Sequence, residues 1–151
     1  MADATADVGV NDIAIIGMAA RQFRSHGFAG IGVAELMRQV GLTHGGFYAH
    51  FASKSELMEL ACRRAVSDML VDWQAKVDMA PNDAIAAIVL PYLSPDHRDR
   101  PETGCLMATL GPEAAREAEP VRRAVTECLE DVLGTLARHV PGPGAAERRK
   151  Q

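Results

Sequence analysis

Apolar residues recur at helical spacing along most of the chain. Ile13, Ile16, Ala20 and Phe23 make one stripe. Asn11 or Asp12 can cap its start, and Gly27 ends it. Val33, Leu36, Met37 and Val40 follow the i, i+3, i+4, i+7 rule of a second, shorter helix, and Gly41 is placed to close that helix in the left-handed conformation. Thr43 can cap a third helix, His44 to Phe51, with Phe47 and Phe51 on one face and His44 and Tyr48 on another. Ser53 and Glu56 form a capping box that opens a long helix carrying Leu57, Leu60, Ala61, Val66, Leu70 and Trp73, which stops before Pro81.

The second half continues in the same style. The pattern predicts a helix over 84–93, a polar loop over 94–101, and a short apolar helix over 104–110 broken by Gly111-Pro112. Pro120 then sits where a helix can start without losing a hydrogen bond. Val121, Val125, Leu129, Val132, Leu136 and Val140 form the stripe of a long amphipathic helix that PGPG stops. The expected organisation is a flexible start at 1–10, a three-helix unit at 11–52, a helical regulatory domain at 53–140 whose first helix, 53–79, is the connector, and a tail at 141–151. The expected fold class is all-α.

Composition narrows the class without naming an activity. The chain has 151 residues, 48% of them apolar and only 5% aromatic, which suits helices better than a sandwich of short strands. Three scattered cysteines build no disulfide framework, and no apolar run approaches the roughly 20 residues of a membrane span. The start lacks the basic residues of a signal peptide, so a cytoplasmic chain with no membrane partner is expected. The formal net charge is −4, which excludes binding nucleic acid by bulk charge. Locally the balance reverses: over residues 20–55, Arg21, Arg24, Arg38 and Lys54 stand against Glu35 alone.

Two short helices joined by a tight glycine turn, with a third helix packed behind them, make a helix-turn-helix. In the 43–51 segment, Phe47 and Phe51 occupy the inward face, and the outward face reads Thr43, His44, Gly45, Gly46, Tyr48 and His50. Side chains that small let a helix enter a major groove about 12 Å wide. Its N-terminus offers N–H groups to phosphate, Thr43 and Tyr48 offer hydroxyls, and Lys54 offers a charge at the next helix start. His44 and His50 share no helix face, so no metal site is expected. Cys105 reads as a buried, inert thiol, and Met69, Trp73 and Met79 as packing in preference to a ligand cavity. His97, Arg98 and Arg100 read as a solvated loop, and Glu127, Glu130 and Asp131 as the wet face of the last helix. No nucleophile–base pair, metal cluster or phosphate loop supports a small helical enzyme, and no cofactor is expected.

The stretch AARQFRSHGFAGIGVAELMRQVGLTHGGFYAHFASKSEL, residues 19–57, resembles the DNA-binding domain of tetracycline-repressor (TetR) family transcriptional regulators. The turn Gly41-Leu42-Thr43, the run Phe47-Tyr48-Ala49-His50-Phe51 and the cap Ser53-Lys54 carry the likeness. The Gly-rich His44–Tyr48 segment is typical of one branch, and Gly104-Cys105-Leu106 with Glu113 and Arg116 resembles that branch's ligand domain. The resemblance implies a homodimeric repressor that grips two half-sites of double-stranded operator DNA and is controlled by a small-molecule effector, here unidentified. By position it implies DNA contacts from Thr43, His44, Gly45 and Tyr48, close approach at Gly46, and phosphate contacts at or near His50 and Lys54.

The sequence also departs from the family pattern. VGVNDIAII stands where members carry a cation before the first helix, and Gly32-Val33 where the second helix usually brings Ser or Thr. Both changes weaken positioning on DNA, not base readout. Members also use two further helices for dimerisation, so a shortened C-terminal ligand and dimerisation domain is expected. Pairing through the 121–140 helix is one outcome. A truncated relative with weak dimerisation and little operator affinity is the other.

Overall fold

A computed structural model of the chain describes residues 9–140, and all regular structure among them is helical. Residues 1–8 of the expected flexible start and the whole 141–151 tail lie outside the described residues.

Helix α1 runs Val10–His26 and buries Ile15, Ile16, Ala19, Ala20 and Phe23. The stripe is wider than its sequence pattern and rotated from it, for Ile13 is exposed. Neither Asn11 nor Asp12 is the cap. Gly9 takes that position, and the Asp12 carboxylate, one turn in, accepts the Gly9 N–H at 3.2 Å. Helix α2 runs Val33–Gln39 and ends as its glycine predicts. Gly41 has φ 76°, its N–H reaches the Arg38 carbonyl, and Leu42 N–H reaches back to Met37. This pair of bonds satisfies carbonyls that the helix end would otherwise orphan.

The third element is not an α-helix. His44–Ala49 is a 3-10 helix, two residues shorter than the predicted His44–Phe51. Gly45 and Gly46 each forgo about 1 kcal/mol of α-helical propensity. Gly46 N–H bonds both the hydroxyl and the carbonyl of Thr43, three residues back, and this sets the tighter winding from the start.

Helix α3, Lys54–Met79, is the spine of the molecule. Ser53 caps it by accepting Glu56 N–H at 3.2 Å, while the Glu56 carboxylate accepts from Ala52. Helices α4 (Ala84–Tyr92), α5 (Pro95–Asp99), α6 (Leu106–Ala114) and α7 (Glu119–His139) follow. Three expectations change here. The polar 94–101 segment contains α5, because Ser94 caps it through His97 N–H and Pro95 occupies its first position. Gly111-Pro112 does not break α6, which runs through to Ala114. Helix α7 buries Val121, Ala124, Cys128 and Val132 and leaves Leu129 and Leu133 exposed, so the inward face is rotated from the stripe of large residues. Small residues face inward where α3 and α7 lie close.

Helices α1, α4 and α7 all pack on α3, and α6 touches α1, α3 and α7. One continuous apolar core results, from Ile15 through Phe47 and Leu57 to Val132. No helix of the described residues is long and apolar enough to cross a membrane.

Candidate nucleic-acid interface

The site is built on two phenyl rings. Phe47 and Phe51 are 1% and 4% exposed, with ring centroids 5.5 Å apart, and they anchor the 3-10 segment on the core. Tyr48, the next residue along, is 70% exposed, and its ring stands nearly perpendicular to Phe47 at 5.2 Å. Thr43, His44 and Gly45 are exposed beside it, and Gly46 is half-buried. A Cβ at Gly45 would meet nothing within 4 Å, so the backbone there lies open on its outer side. At Gly46 a Cβ would press on the Thr43 hydroxyl at 3.3 Å, so this glycine serves the cap as well as close approach.

His50 and Lys54 have partners that the sequence did not announce. His50 donates from Nδ1 to the Asp12 carboxylate at 2.5 Å, tying the end of the 3-10 segment to the first turn of α1. In the neutral tautomer this leaves Nε2 as an acceptor. A phosphate contact there therefore needs a ring carrying both protons. Asp12, the aspartate of the stretch that lacks a cation, works as a strut between α1 and the candidate site. The Lys54 ammonium donates to the carbonyls of Phe28 at 2.5 Å and Ile31 at 2.8 Å, and lies 5.8 Å from the Phe23 ring centre. Two of its three N–H donors hold the α1–α2 turn.

The local surplus of cations is dispersed on folding. Arg38 is held by Glu35 at 2.6 Å, and hydrogen bonds from Arg38 and Gln39 keep the Glu35 carboxyl down at about 2. Arg24 reaches the Gly104 carbonyl in the second half of the chain, and both Arg21 and Arg24 line a recess beside α3 and α4. The charge count over residues 20–55 therefore does not describe the Tyr48 face. What distinguishes that face is its small, open backbone.

The other candidate residues divide. Trp73 is buried, and together with Met69 it also lines that recess, so packing and cavity lining are the same task here; Met79 is 87% exposed and does neither. His97 stacks on Tyr92 at 4.5 Å and does not sit in a loop. Glu127, expected to be solvated, bonds Arg63 of α3 at 2.7 Å. Among the described residues no cluster of three or more His, Cys, Asp or Glu side chains could hold a metal.

A second bond, besides that of Arg24 to Gly104, ties the first half of the fold to the second. The Glu113 carboxylate of α6 accepts the Phe28 N–H at 2.9 Å, just after α1 ends at Gly27. Gly27 has φ 79°, and a Cβ there would lie 2.5 Å from the same carboxylate. Only glycine both turns the chain and admits Glu113.

No curated protein matches the chain. A family model does: residues 15–61 match that of bacterial regulatory proteins, tetR family. The match begins at the first buried residue of α1 and ends within α3, so it covers most of α1, all of α2 and the 3-10 segment, and the first two turns of the spine. Over residues 15–61 the chain thus carries the N-terminal helix-turn-helix domain of the bacterial regulatory proteins of the tetR family, the domain of DNA-binding transcription regulators.

Proposed function

We propose that the chain is a repressor that holds its operator as a homodimer and lets go when a small effector binds among the helices after residue 52. Residues 11–52 are the reading head and residues 53–140 the regulatory part, with α3 as the connector. Thr43, His44, Gly45, Gly46 and Tyr48 form the surface that enters the major groove, and His50 and Lys54, placed beside it, brace it through Asp12 and through the Phe28 and Ile31 carbonyls in preference to holding phosphate. The observation that carries this reading is the sidedness of one short segment. Tyr48 is 70% exposed while Phe47 beside it is 1% exposed, and the glycine backbone ahead of them is bare. A surface of that kind has no packing role to fill. Leu129 and Leu133, four apart and exposed on α7, support a contact between two copies.

Fluorescence anisotropy with the promoter beside its own gene tests the reading. Binding is expected to be specific and to weaken as salt rises. Tyr48→Ala lowers affinity roughly tenfold, the loss of about one good contact. Sedimentation at micromolar concentration is expected to show a dimer. A well-folded chain that binds no promoter fragment more tightly than random DNA would end the proposal.

A further inference from the structure

A recess of about 570 Å³ lies between α1, α3, α4 and the 94–105 segment. Its size falls in the range of small-molecule sites. Met69, Trp73 and Ile88 supply apolar lining, and Gly17 and Ala20 of α1 leave room on the opposite wall.

The charges of the recess do not cancel. Its three aspartates are each matched by a cation four residues away: Asp68 by Arg64 at 2.8 Å, Asp72 by Lys76 at 2.5 Å, and Asp96 by Arg100 at 3.4 Å. Arg21 and Arg24 remain, and neither has a carboxylate within ion-pair distance among the described residues. Glu102, the nearby acid outside the lining, sits against Arg100. Arg24 is half-buried and held in place, since Nε donates to the Ala20 carbonyl at 2.8 Å and Nη1 to Gly104 at 2.9 Å. Burial pulls its pKa down, with Asp68 opposing and Arg21 reinforcing the shift. A neutral donor could staple Gly104 without that desolvation. A fixed guanidinium with spare N–H groups beside an indole suits a bound anion with an apolar body.

We propose that this recess binds an amphipathic organic anion, its flat apolar body against Trp73, Met69 and Ile88 and its carboxylate or sulfonate on Arg24, with Arg21 at the mouth. That the anion acts as effector rests on the regulatory reading above; that it binds does not. Such a ligand touches α1 and competes for the arginine that ties α1 to Gly104.

Two probes with one ring skeleton separate charge from grease. 8-Anilinonaphthalene-1-sulfonate is the anion, and N-phenyl-1-naphthylamine is its neutral counterpart. Trp73 is the single tryptophan, so energy transfer from it reports binding nearby. With the full chain, the anion is expected to quench Trp73 saturably and to bind at least tenfold more tightly than the neutral probe. Arg24→Gln weakens the anion roughly tenfold or more and leaves the neutral probe unchanged, while Arg24→Lys restores part of the loss. Should Arg24→Gln fail to fold, the exposed Arg21→Gln is expected to weaken the anion by a few-fold. Equal binding of both probes, absence of energy transfer, or anion binding indifferent to these substitutions in folded protein overturns the proposal. Promoter binding without either probe is measured in parallel. Its absence alongside the expected probe behaviour defeats the regulatory reading and leaves the anion site standing.

Discussion

Replacing Lys54 with Met separates two roles that one lysine could play. The substitution keeps the apolar stem and removes the ammonium. Two charge-assisted hydrogen bonds go, to Phe28 and Ile31, together with the approach to the Phe23 ring. Bonds to a charged group contribute about 1.5–3 kcal/mol each, and the cation–ring contact about 0.5 kcal/mol where water is near. Lys54 is only half-buried, so water partly re-solvates the abandoned carbonyls. The net loss should be about 2–4 kcal/mol, which for a chain of this size lowers the thermal midpoint by on the order of 10 °C. Urea unfolding followed by far-UV circular dichroism measures the stability. The salt dependence of operator binding measures the other role, since a lysine on a phosphate contributes a slope of about 0.9 in log–log form. The structural account predicts a large fall in stability at unchanged salt slope. An unmoved unfolding midpoint with the slope reduced by about one would refute it and make Lys54 a phosphate contact first.

Two glycines should behave in opposite ways. A Cβ at Gly30 would lie 1.9 Å from the His26 carbonyl oxygen, so Gly30→Ala should cost about 3 kcal/mol or more in urea unfolding. Gly45→Ala meets nothing in the fold and should leave the midpoint unchanged or raised, yet lower operator affinity, because the new methyl points toward the proposed DNA contact. Equal affinity for Gly45→Ala and the parent chain would move the interface elsewhere. Glu113→Gln keeps an acceptor for Phe28 N–H and should be nearly neutral, whereas Glu113→Ala strands that N–H and should cost about 1–2 kcal/mol by chemical denaturation. Burial pushes the Cys62 thiol up to about 12 and the Cys128 thiol up to about 11. A thiol whose pKa is raised stays protonated at pH 8, so neither should react promptly with a disulfide reagent until the chain unfolds. Two fast-reacting equivalents in native protein would contradict the buried arrangement.

Much of the head was legible because its determinants are local. The Gly41 turn follows from glycine's tolerance of positive φ, the Ser53 cap from two side chains three residues apart, and the inward and outward faces of the 43–51 segment from helical spacing alone. The winding of that segment is not legible in the same way, because apolar spacing does not separate three residues per turn from 3.6 over six residues, and the Thr43–Gly46 bonds decide it.

Sequence alone determined the long helices, the glycine turn, the family likeness and the exposure of Tyr48, since each depends on neighbours within a few positions. Only the tertiary structure decided where the charges went. Lys54 closes on carbonyls 26 and 23 residues away, His50 on an aspartate 38 away, Arg24 on a carbonyl 80 away, and Glu113 on an N–H 85 away. A count of charges along the chain treats every cation as available to solvent. Long flexible side chains instead reach whichever unsatisfied backbone group or opposite charge the packing of α1 on α3 and α6 brings near, and periodicity carries no record of that choice.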